Sequence, residues 1–228
     1  MKRFSPHLEI LSEAQIRLWS ELSQIPREFV LYGGTALALR LGHRLSIDFD
    51  FFGARNLNIA ELEADIPFLS GAKIIQREKN TLSAIVDCGG SVKVSFFGVP
   101  KLPRLEPPDI VDQNGLHVAS LLDLAGTKAS VVQVRAEAKD YVDIDALLRI
   151  GNIGLPTALA AAQELYGTSF NPQVTLKALS YFGDGNLPGL AEDVKDRLAA
   201  AAREVDLDHL PDIGGKSRVR DADFDLGL

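Results

Sequence analysis

Apolar residues follow a helical period at the start of the chain. They recur at three- and four-residue steps, apart from one gap, at Leu8, Leu11, Leu18, Leu22 and Ile25. This spacing predicts a helix over 7–25 that ends before Pro26, because proline cannot continue the hydrogen-bond ladder of a helix. The short apolar run 29–32 that follows is stopped by two glycines and predicts a buried strand.

Short apolar runs and amphipathic stretches then alternate up to residue 118. Helices are predicted over 35–41 and 58–66, and strands over 46–52, 73–76, 83–87, 92–97 and 116–118. Beyond this point the pattern is helical, over 121–134, 140–150, 155–166 and 190–205. Residues from Gly214 onward are charged and contain glycine, which predicts a frayed end.

This order of elements predicts an α+β fold. A small mixed β-sheet is flanked by helices and followed by a helical C-terminal part. The length of 228 residues suffices for one large domain or two small ones. We assign residues 1–110 to the sheet-containing core and residues 111–228 to the helical domain, which we expect to complete the active site.

Composition excludes several classes of protein. Charged residues make up 24% of the chain and no run of 18 apolar residues occurs, so neither a transmembrane helix nor a membrane partner is expected. The N-terminus lacks the apolar segment of a signal peptide, and the single cysteine, Cys88, can form no internal disulfide. Both features predict the cytoplasm. The net charge of -7 argues against non-specific coating of nucleic acid.

Candidate chemistry begins at a glycine turn that precedes the predicted helix 35–41. Gly33 and Gly34 lack a Cβ atom, so an anionic group can approach the main chain closely, and Thr35 adds a hydroxyl at the helix start. The N-terminal amides of a helix favour anions. The turn therefore predicts a phosphate site, although a tight turn without a ligand remains the alternative for this motif alone.

The next predicted strand carries two carboxylates in alternation. Asp48 and Asp50 are two residues apart, so their side chains leave the same face, about 6.6 Å apart along the strand. Their neighbours are apolar, and acids in such a strand carry a desolvation cost unless something pairs with them. We predict that Asp48 and Asp50 bind a divalent cation that bridges substrate phosphates, with an edge strand and one solvated face as the alternative.

Two charged segments of the helical part add basic groups. Lys128 can bind phosphate as a point charge, with a solvated surface lysine as the alternative. Further on, Lys139 or Arg135 is predicted to reach substrate while Asp140 and Asp143 orient these groups. An ordinary helix surface crossed by ion pairs is the alternative for this second segment.

Together these segments resemble the AbiEii/AbiGii-type nucleotidyltransferase family, within the DNA polymerase β-like superfamily. The matching stretches occur in the family's order and run over 33–39, 44–52, 123–128 and 139–143. The resemblance implies a mixed-sheet nucleotidyltransferase core that binds a nucleoside triphosphate (NTP) through Mg²⁺.

The resemblance also assigns residues to this chemistry. The catalytic residues would be Asp48, Asp50 and Lys128, and the two aspartates would hold the Mg²⁺ ion. The nucleotide would contact Gly33, Gly34, Thr35, Arg44, Ser46, Lys139 and Asp140.

The function implied by the resemblance is transfer of a nucleoside monophosphate to a hydroxyl acceptor. The acceptor would be the 3′ end of tRNA or a protein, and the chain would be the toxin of a toxin–antitoxin pair, with a cognate antitoxin as partner. This chain departs from the superfamily at Ser95, where many members carry a third carboxylate, although Asp87 on the preceding strand is a candidate to replace it. This departure leaves open a catalytically degenerate module that binds a nucleotide or a partner. A phosphotransferase is a second alternative, because the same site geometry serves transfer of the γ-phosphate.

Overall fold

The computed structural model describes residues 1–213, which form two compact units. The first unit comprises Met1–Leu102 and Pro107–Ala119, and the second comprises Pro103–Glu106 and the chain from Ser120. The fraying predicted from Gly214 onward lies outside the described residues. None of the helices between residues 1 and 213 is long and apolar enough to cross a membrane.

Within residues 1–213, the first unit is built on one eight-stranded mixed β-sheet. The strands are β1 (Arg3–Phe4), β2 (Val30–Tyr32), β3 (Asp48–Gly53), β4 (Lys73–Glu78), β5 (Thr81–Asp87), β6 (Ser91–Gly98), β7 (Asp109–Val111) and β8 (His117–Val118). Their spatial order is β1-β7-β8-β2-β3-β6-β5-β4. Strands β3 and β6 are parallel neighbours near the middle of the sheet, whereas β2 runs antiparallel to β3 and β5 runs antiparallel to β6.

The first unit also contains α1 (Glu13–Trp19), α2 (Gly33–Leu41) and α3 (Ile59–Asp65). The single helix predicted over 7–25 is wrong, because α1 is flanked by 3₁₀ turns at Leu8–Ile10 and Glu21–Gln24. Its start is fixed by a capping box in which the Gln15 amide donates to the Ser12 hydroxyl while the Ser12 amide donates to the Gln15 side chain. Gln15, the polar residue that interrupts the apolar spacing, is therefore part of the helix cap.

Alternate residues of strand β3 lie on opposite faces of the sheet, one of which is fully buried. Phe49 and Phe51 are fully buried, and Phe51 stacks on Phe96 of β6 with ring centroids 5.3 Å apart. Asp48 and Asp50 alternate with them and are half-buried on the opposite face. The two-residue period of a strand thus buries the aromatic rings and presents both acids on one surface.

The second unit is helical over the described residues. Its helices are α4 (Leu121–Val131), α5 (Ala138–Arg149), α6 (Leu155–Tyr166), α7 (Pro172–Ala178) and α8 (Glu192–Glu204). Helices α4 and α6 pack closely at Gly126, where an added Cβ would lie 2.9 Å from the main chain of Ala161. Helix α7 was not predicted, since it is short and begins at Pro172 behind the Asn171 cap.

The boundary drawn from the sequence at 110/111 falls inside the first unit. Strand β7 pairs with β1, and β8 pairs with both β7 and β2, so residues 107–119 remain with the sheet. Residues 103–106 belong to the second unit because the Asp123 carboxylate accepts hydrogen bonds from the amides of Leu105 and Glu106, at 2.9 and 3.2 Å. Burial raises the pKa of Asp123, although these amides and Ser120 favour its ionised form.

Candidate active site

The glycine turn forms the first residues of helix α2. Gly33 has a φ angle of +77°, in the left-handed region that glycine adopts without strain. The residue before it, Tyr32, supplies no side-chain cap to the helix. The first amides of an α-helix have no partner within the helix, so this end is suited to an anionic ligand.

Gly34 lies against the side chain of Arg44. A Cβ built on Gly34 would be 2.3 Å from Nη2 of Arg44 and 3.4 Å from the hydroxyl oxygen of Ser46. Any larger residue at position 34 would therefore displace the guanidinium. The absence of a side chain lets a cation, a hydroxyl and the amide end of α2 converge, which is a suitable arrangement for a phosphate group.

Thr35 joins the start of α2 to the loop before β3 and to β3 itself. Its hydroxyl oxygen lies 2.7 Å from that of Ser46 and also contacts the main-chain carbonyl of Asp48. A carbonyl can only accept, so Thr35 donates its single proton to Asp48 and accepts from Ser46. Thr35 is only 1% exposed. Through these two hydrogen bonds its hydroxyl links the glycine turn to the strand that carries both acids.

The two predicted metal ligands lie on the same face of β3, next to this turn. Oδ2 of Asp50 is 3.3 Å from the position that a Cβ on Gly33 would occupy. The carboxylate of Asp48 forms no hydrogen bond or ion pair with any residue between 1 and 213, although it is half-buried. A half-buried carboxylate without a protein partner is well suited to bind a cation.

A serine lies at the position where the resemblance led us to expect a third carboxylate. Ser95 of β6 is directly opposite Asp50 in the parallel register, and its hydroxyl lies 3.2 Å from that of Ser83 on β5. The candidate replacement, Asp87, is exposed in the β5–β6 hairpin, where its carboxylate accepts the amides of Gly89 and Gly90. No group of three His, Cys, Asp or Glu side chains within residues 1–213 is arranged to hold a metal ion.

Two carboxylates nevertheless fit one Mg²⁺ ion. Magnesium sites commonly take one or two protein carboxylates and complete the octahedron with water and substrate phosphates. Asp48 and Asp50 provide that number of ligands, and Asp50 lies beside the glycine turn that begins α2. The residues present therefore fit a single Mg²⁺ ion bound together with a nucleotide.

Two basic residues of the second unit bind two buried aspartates and form an ionic cluster with them. Nζ of Lys128 lies 2.7 Å from Oδ1 of Asp140 and 2.6 Å from Oδ2 of Asp143. Arg135 adds a two-point contact to Asp140, with Nε at 2.7 Å and Nη2 at 3.0 Å. Both aspartates are completely buried and Lys128 is 4% exposed, so the alternative of a solvated surface lysine is wrong.

The cluster sets the ionisation of its central acid. Burial alone would raise the pKa of Asp140, but the hydrogen bonds from Arg135 and the charge of Lys128 outweigh it and lower the pKa below the ordinary value. Lys139, predicted to touch the nucleotide, instead forms an ion pair with Glu137 at 2.8 Å, and its side chain is about half exposed. Its role toward a nucleotide stays a prediction.

One residue on the polar face of the sheet was missed in the sequence. Lys93 of β6 lies directly opposite Asp48, in the row adjacent to the Asp50–Ser95 pair. It is half-buried, whereas Val92 and Val94 beside it in the strand are fully buried. The alternation of apolar and polar residues in the predicted strand 92–97 was the available signal, but only the strand register shows which acid Lys93 faces.

Comparison with known proteins shows the family of the chain. The family model described as nucleotidyl transferase AbiEii toxin, type IV TA system, matches residues 17–222. An uncharacterized protein of Aquifex aeolicus is 32% identical over 162 residues, which cover 70% of this chain and 76% of that protein.

Solved structures share the fold at low sequence identity. MenT4, a nucleotidyltransferase toxin from Mycobacterium tuberculosis, aligns over 86% of this chain and 83% of its own with a TM-score of 0.57 and 16% identity. JHP933 from Helicobacter pylori aligns over 85% and 92% with a TM-score of 0.56 and 18% identity. The predicted α+β fold and the enzyme class, a nucleotidyltransferase, are confirmed. Since the family model spans nearly the whole sequence, this chain belongs to the AbiEii family of nucleotidyltransferase toxins.

Proposed function

We propose that the protein transfers a nucleoside monophosphate from an NTP to a hydroxyl acceptor in a Mg²⁺-dependent reaction. The observation that carries this proposal is the position of Asp50, whose Oδ2 lies 3.3 Å from the Cβ site of Gly33. A cation held there by Asp50 and Asp48 would be next to the amide end of α2. Phosphates bound at that end would then share the cation with both acids.

The residues around the turn would position the triphosphate. Gly33 and Gly34 allow the Asp50 carboxylate and the Arg44 guanidinium to approach the first turn of α2, and this guanidinium is a charged donor group for phosphate oxygens. When bound, Mg²⁺ neutralises phosphate charge and orients the α-phosphate. The acceptor hydroxyl would lose its proton to solvent as its oxygen bonds to the α-phosphorus and the bond to pyrophosphate breaks, while Arg44 would offset the charge of the leaving group.

We extend the proposal to the second unit and to the biological role. The family resemblance assigns Lys128, Lys139 and Asp140 to the same reaction, and the burial of Lys128 and Asp140 supports a positioning role for both. The description of the family supports a toxin with a cognate antitoxin. A hydroxyl at the 3′ end of RNA, in particular tRNA, is the acceptor that we would test first, followed by a hydroxyl on a protein.

A transfer assay on total RNA and on protein tests this proposal. We expect label from the α-phosphate of an NTP to enter the acceptor in the presence of Mg²⁺. Asp48→Asn and Asp50→Asn should each reduce transfer by at least ~100-fold, because a lost metal ligand costs no less than the loss of an outer-shell partner. The matched control is Asp87→Asn, the same change at the hairpin. Full transfer by either site variant would contradict the proposal.

The same assay separates the second candidate. Ser95 in place of a third carboxylate favours a degenerate module that binds nucleotide without turnover. Calorimetric binding of NTP and Mg²⁺ without any labelled product would support this module. If the acceptor takes up label from the γ-phosphate of the NTP and none from the α-phosphate, the protein is instead a phosphotransferase.

A further inference from the structure

Lys93 occupies a position in the sheet that places it beside the proposed metal ligands. It pairs with Asp48 in the parallel register of β3 and β6, while the next row of the same face pairs Asp50 with Ser95. Paired residues of neighbouring parallel strands point to the same face and are separated by about 4.8 Å. The ammonium group of Lys93 can therefore reach the space above Asp48 and Asp50.

Lys93 is not held there by a protein partner. Neither the ammonium group of Lys93 nor the carboxylate of Asp48 forms a hydrogen bond or an ion pair with any residue between 1 and 213, although the two residues are cross-strand neighbours. Lys93 is nevertheless half-buried between Val92 and Val94, in a strand close to the middle of the sheet. Its ammonium group therefore extends from a half-buried position in the sheet without binding a charged group of residues 1–213. This placement suits an ammonium group that binds a ligand.

The charge balance of the site indicates which ligand this is. Two carboxylates neutralise one divalent cation, so of the groups of the first unit proposed above only Arg44, with a single positive charge, offsets the negative charge of the triphosphate. Ser95 and Ser83 occupy the row where a third carboxylate would recruit another cation, and both are neutral. An ammonium group is a compact charge that binds phosphate.

We infer that Lys93 binds the triphosphate of the NTP and supplies the positive charge that a second metal ion would otherwise bring. The inference rests on the proposed function, because it assumes that the polar face of β3 and β6 receives a nucleotide. Within that function it adds a substrate-binding residue and explains how a site with a serine in the third position can still neutralise its substrate.

The sheet contains a matched control residue. Lys73 of β4 pairs with Ile85 of β5, which pairs with Lys93, so both lysines lie in one row of side chains. Lys73 is two strands farther from Asp48, about 10 Å, and is exposed at the edge of the sheet. A neutral residue at Lys73 changes the net charge of the protein by the same amount as one at Lys93, but Lys73 lies too far from the site to contact the nucleotide.

Calorimetry with a non-hydrolysable NTP analogue and with inorganic tripolyphosphate, each with and without Mg²⁺, tests the inference. Lys93→Met should weaken binding about 10-fold, which corresponds to ~1.4 kcal/mol, while Lys73→Met leaves it unchanged and Lys93→Arg retains most of it. Thermal unfolding confirms that the variants are folded, and Lys93→Gln replaces Lys93→Met if the latter is not.

Equal affinity of Lys93→Met and wild type would overturn the inference, as would the absence of any binding to the wild type. Its failure is distinguishable from failure of the proposed function, because binding does not require turnover. If the analogue binds through Lys93 but no label is transferred, the inference stands and the transfer reaction is refuted. If label is transferred and Lys93→Met binds the analogue normally, the transfer reaction stands and the inference is refuted.

Discussion

Two groups of charged residues, one in each unit, differ in whether their members pair with one another. In the second unit, Lys128 and Arg135 satisfy Asp140 and Asp143 within a buried cluster. In the first unit, Asp48 and Lys93 are cross-strand neighbours that leave each other unpaired, within residues 1–213. The difference teaches that a charged motif in the sequence does not reveal whether its charges bind one another or a ligand.

The largest effect is expected from breaking the saturated cluster. Lys128→Met leaves two completely buried carboxylates without their shared cation, and we expect the free energy of unfolding to fall by roughly 3–5 kcal/mol. Urea denaturation measures this change. The matched control, Lys139→Met, removes a half-exposed lysine from the same region and should change stability by less than about 0.5 kcal/mol. Similar values for both variants would show that the cluster is not the stabilising feature.

A smaller effect is expected from adding an acid to the open site. Ser95→Asp places a carboxylate at a buried position beside Ser83 and opposite Asp50, and should destabilise the metal-free protein by about 1–3 kcal/mol. Mg²⁺ should restore part of the lost melting temperature in this variant, because a third ligand then faces the cation. Ser95→Asn should show no such recovery. A melting temperature of Ser95→Asp that does not respond to Mg²⁺ would remove Ser95 from the metal site.

The glycine turn gives a third comparison, in affinity. The Cβ of Gly34→Ala would displace the Arg44 guanidinium, whose flexible end can move, so the fold should survive while NTP binding weakens about 10-fold. Gly189→Ala is the control, since nothing lies within 4 Å of its added Cβ. Calorimetry on the two variants is decisive, and unchanged affinity of Gly34→Ala would exclude contact between Arg44 and the nucleotide.

The smallest effect is in the pH dependence of stability. The pKa of Asp140 is lowered in the folded protein, so its contribution is complete above the ordinary pKa of an aspartate and is lost as pH falls through the lowered value. The stability difference between wild type and Asp140→Asn should therefore be constant near neutral pH and shrink in acid. Denaturant titrations at several pH values measure it. A stability difference between the two proteins that grows as the pH falls would contradict a lowered pKa of Asp140.

The parts of the molecule that follow from local pattern were predictable. The position of Asp48 and Asp50 on one face of β3 depends only on the period of a strand, and the glycine turn depends only on the freedom of Gly33. The broken N-terminal helix was not predicted because Gln15 is an unremarkable polar residue until its cap with Ser12 is seen.

The features that were not predicted depend on contacts between segments that are distant in the sequence. The burial of Lys128 requires the packing of α4 with α5, and nothing in its own segment indicates it. Likewise, the pairing of Asp50 with Ser95 and of Asp48 with Lys93 is set by the register of two parallel strands whose paired residues are more than forty positions apart in the sequence. Register is a tertiary property in a parallel pair, since no short turn fixes it.

The binding of a single divalent cation by Asp48 and Asp50 is tested most directly by titration with Mn²⁺ in the presence of a non-hydrolysable NTP analogue. Electron paramagnetic resonance counts the bound ions in the wild type, Asp48→Asn and Asp87→Asn. The wild type and Asp87→Asn should each bind one Mn²⁺ ion per chain, and Asp48→Asn should bind it at least ~100-fold more weakly. Equal binding by all three proteins would contradict the assignment of the metal to the acids of β3.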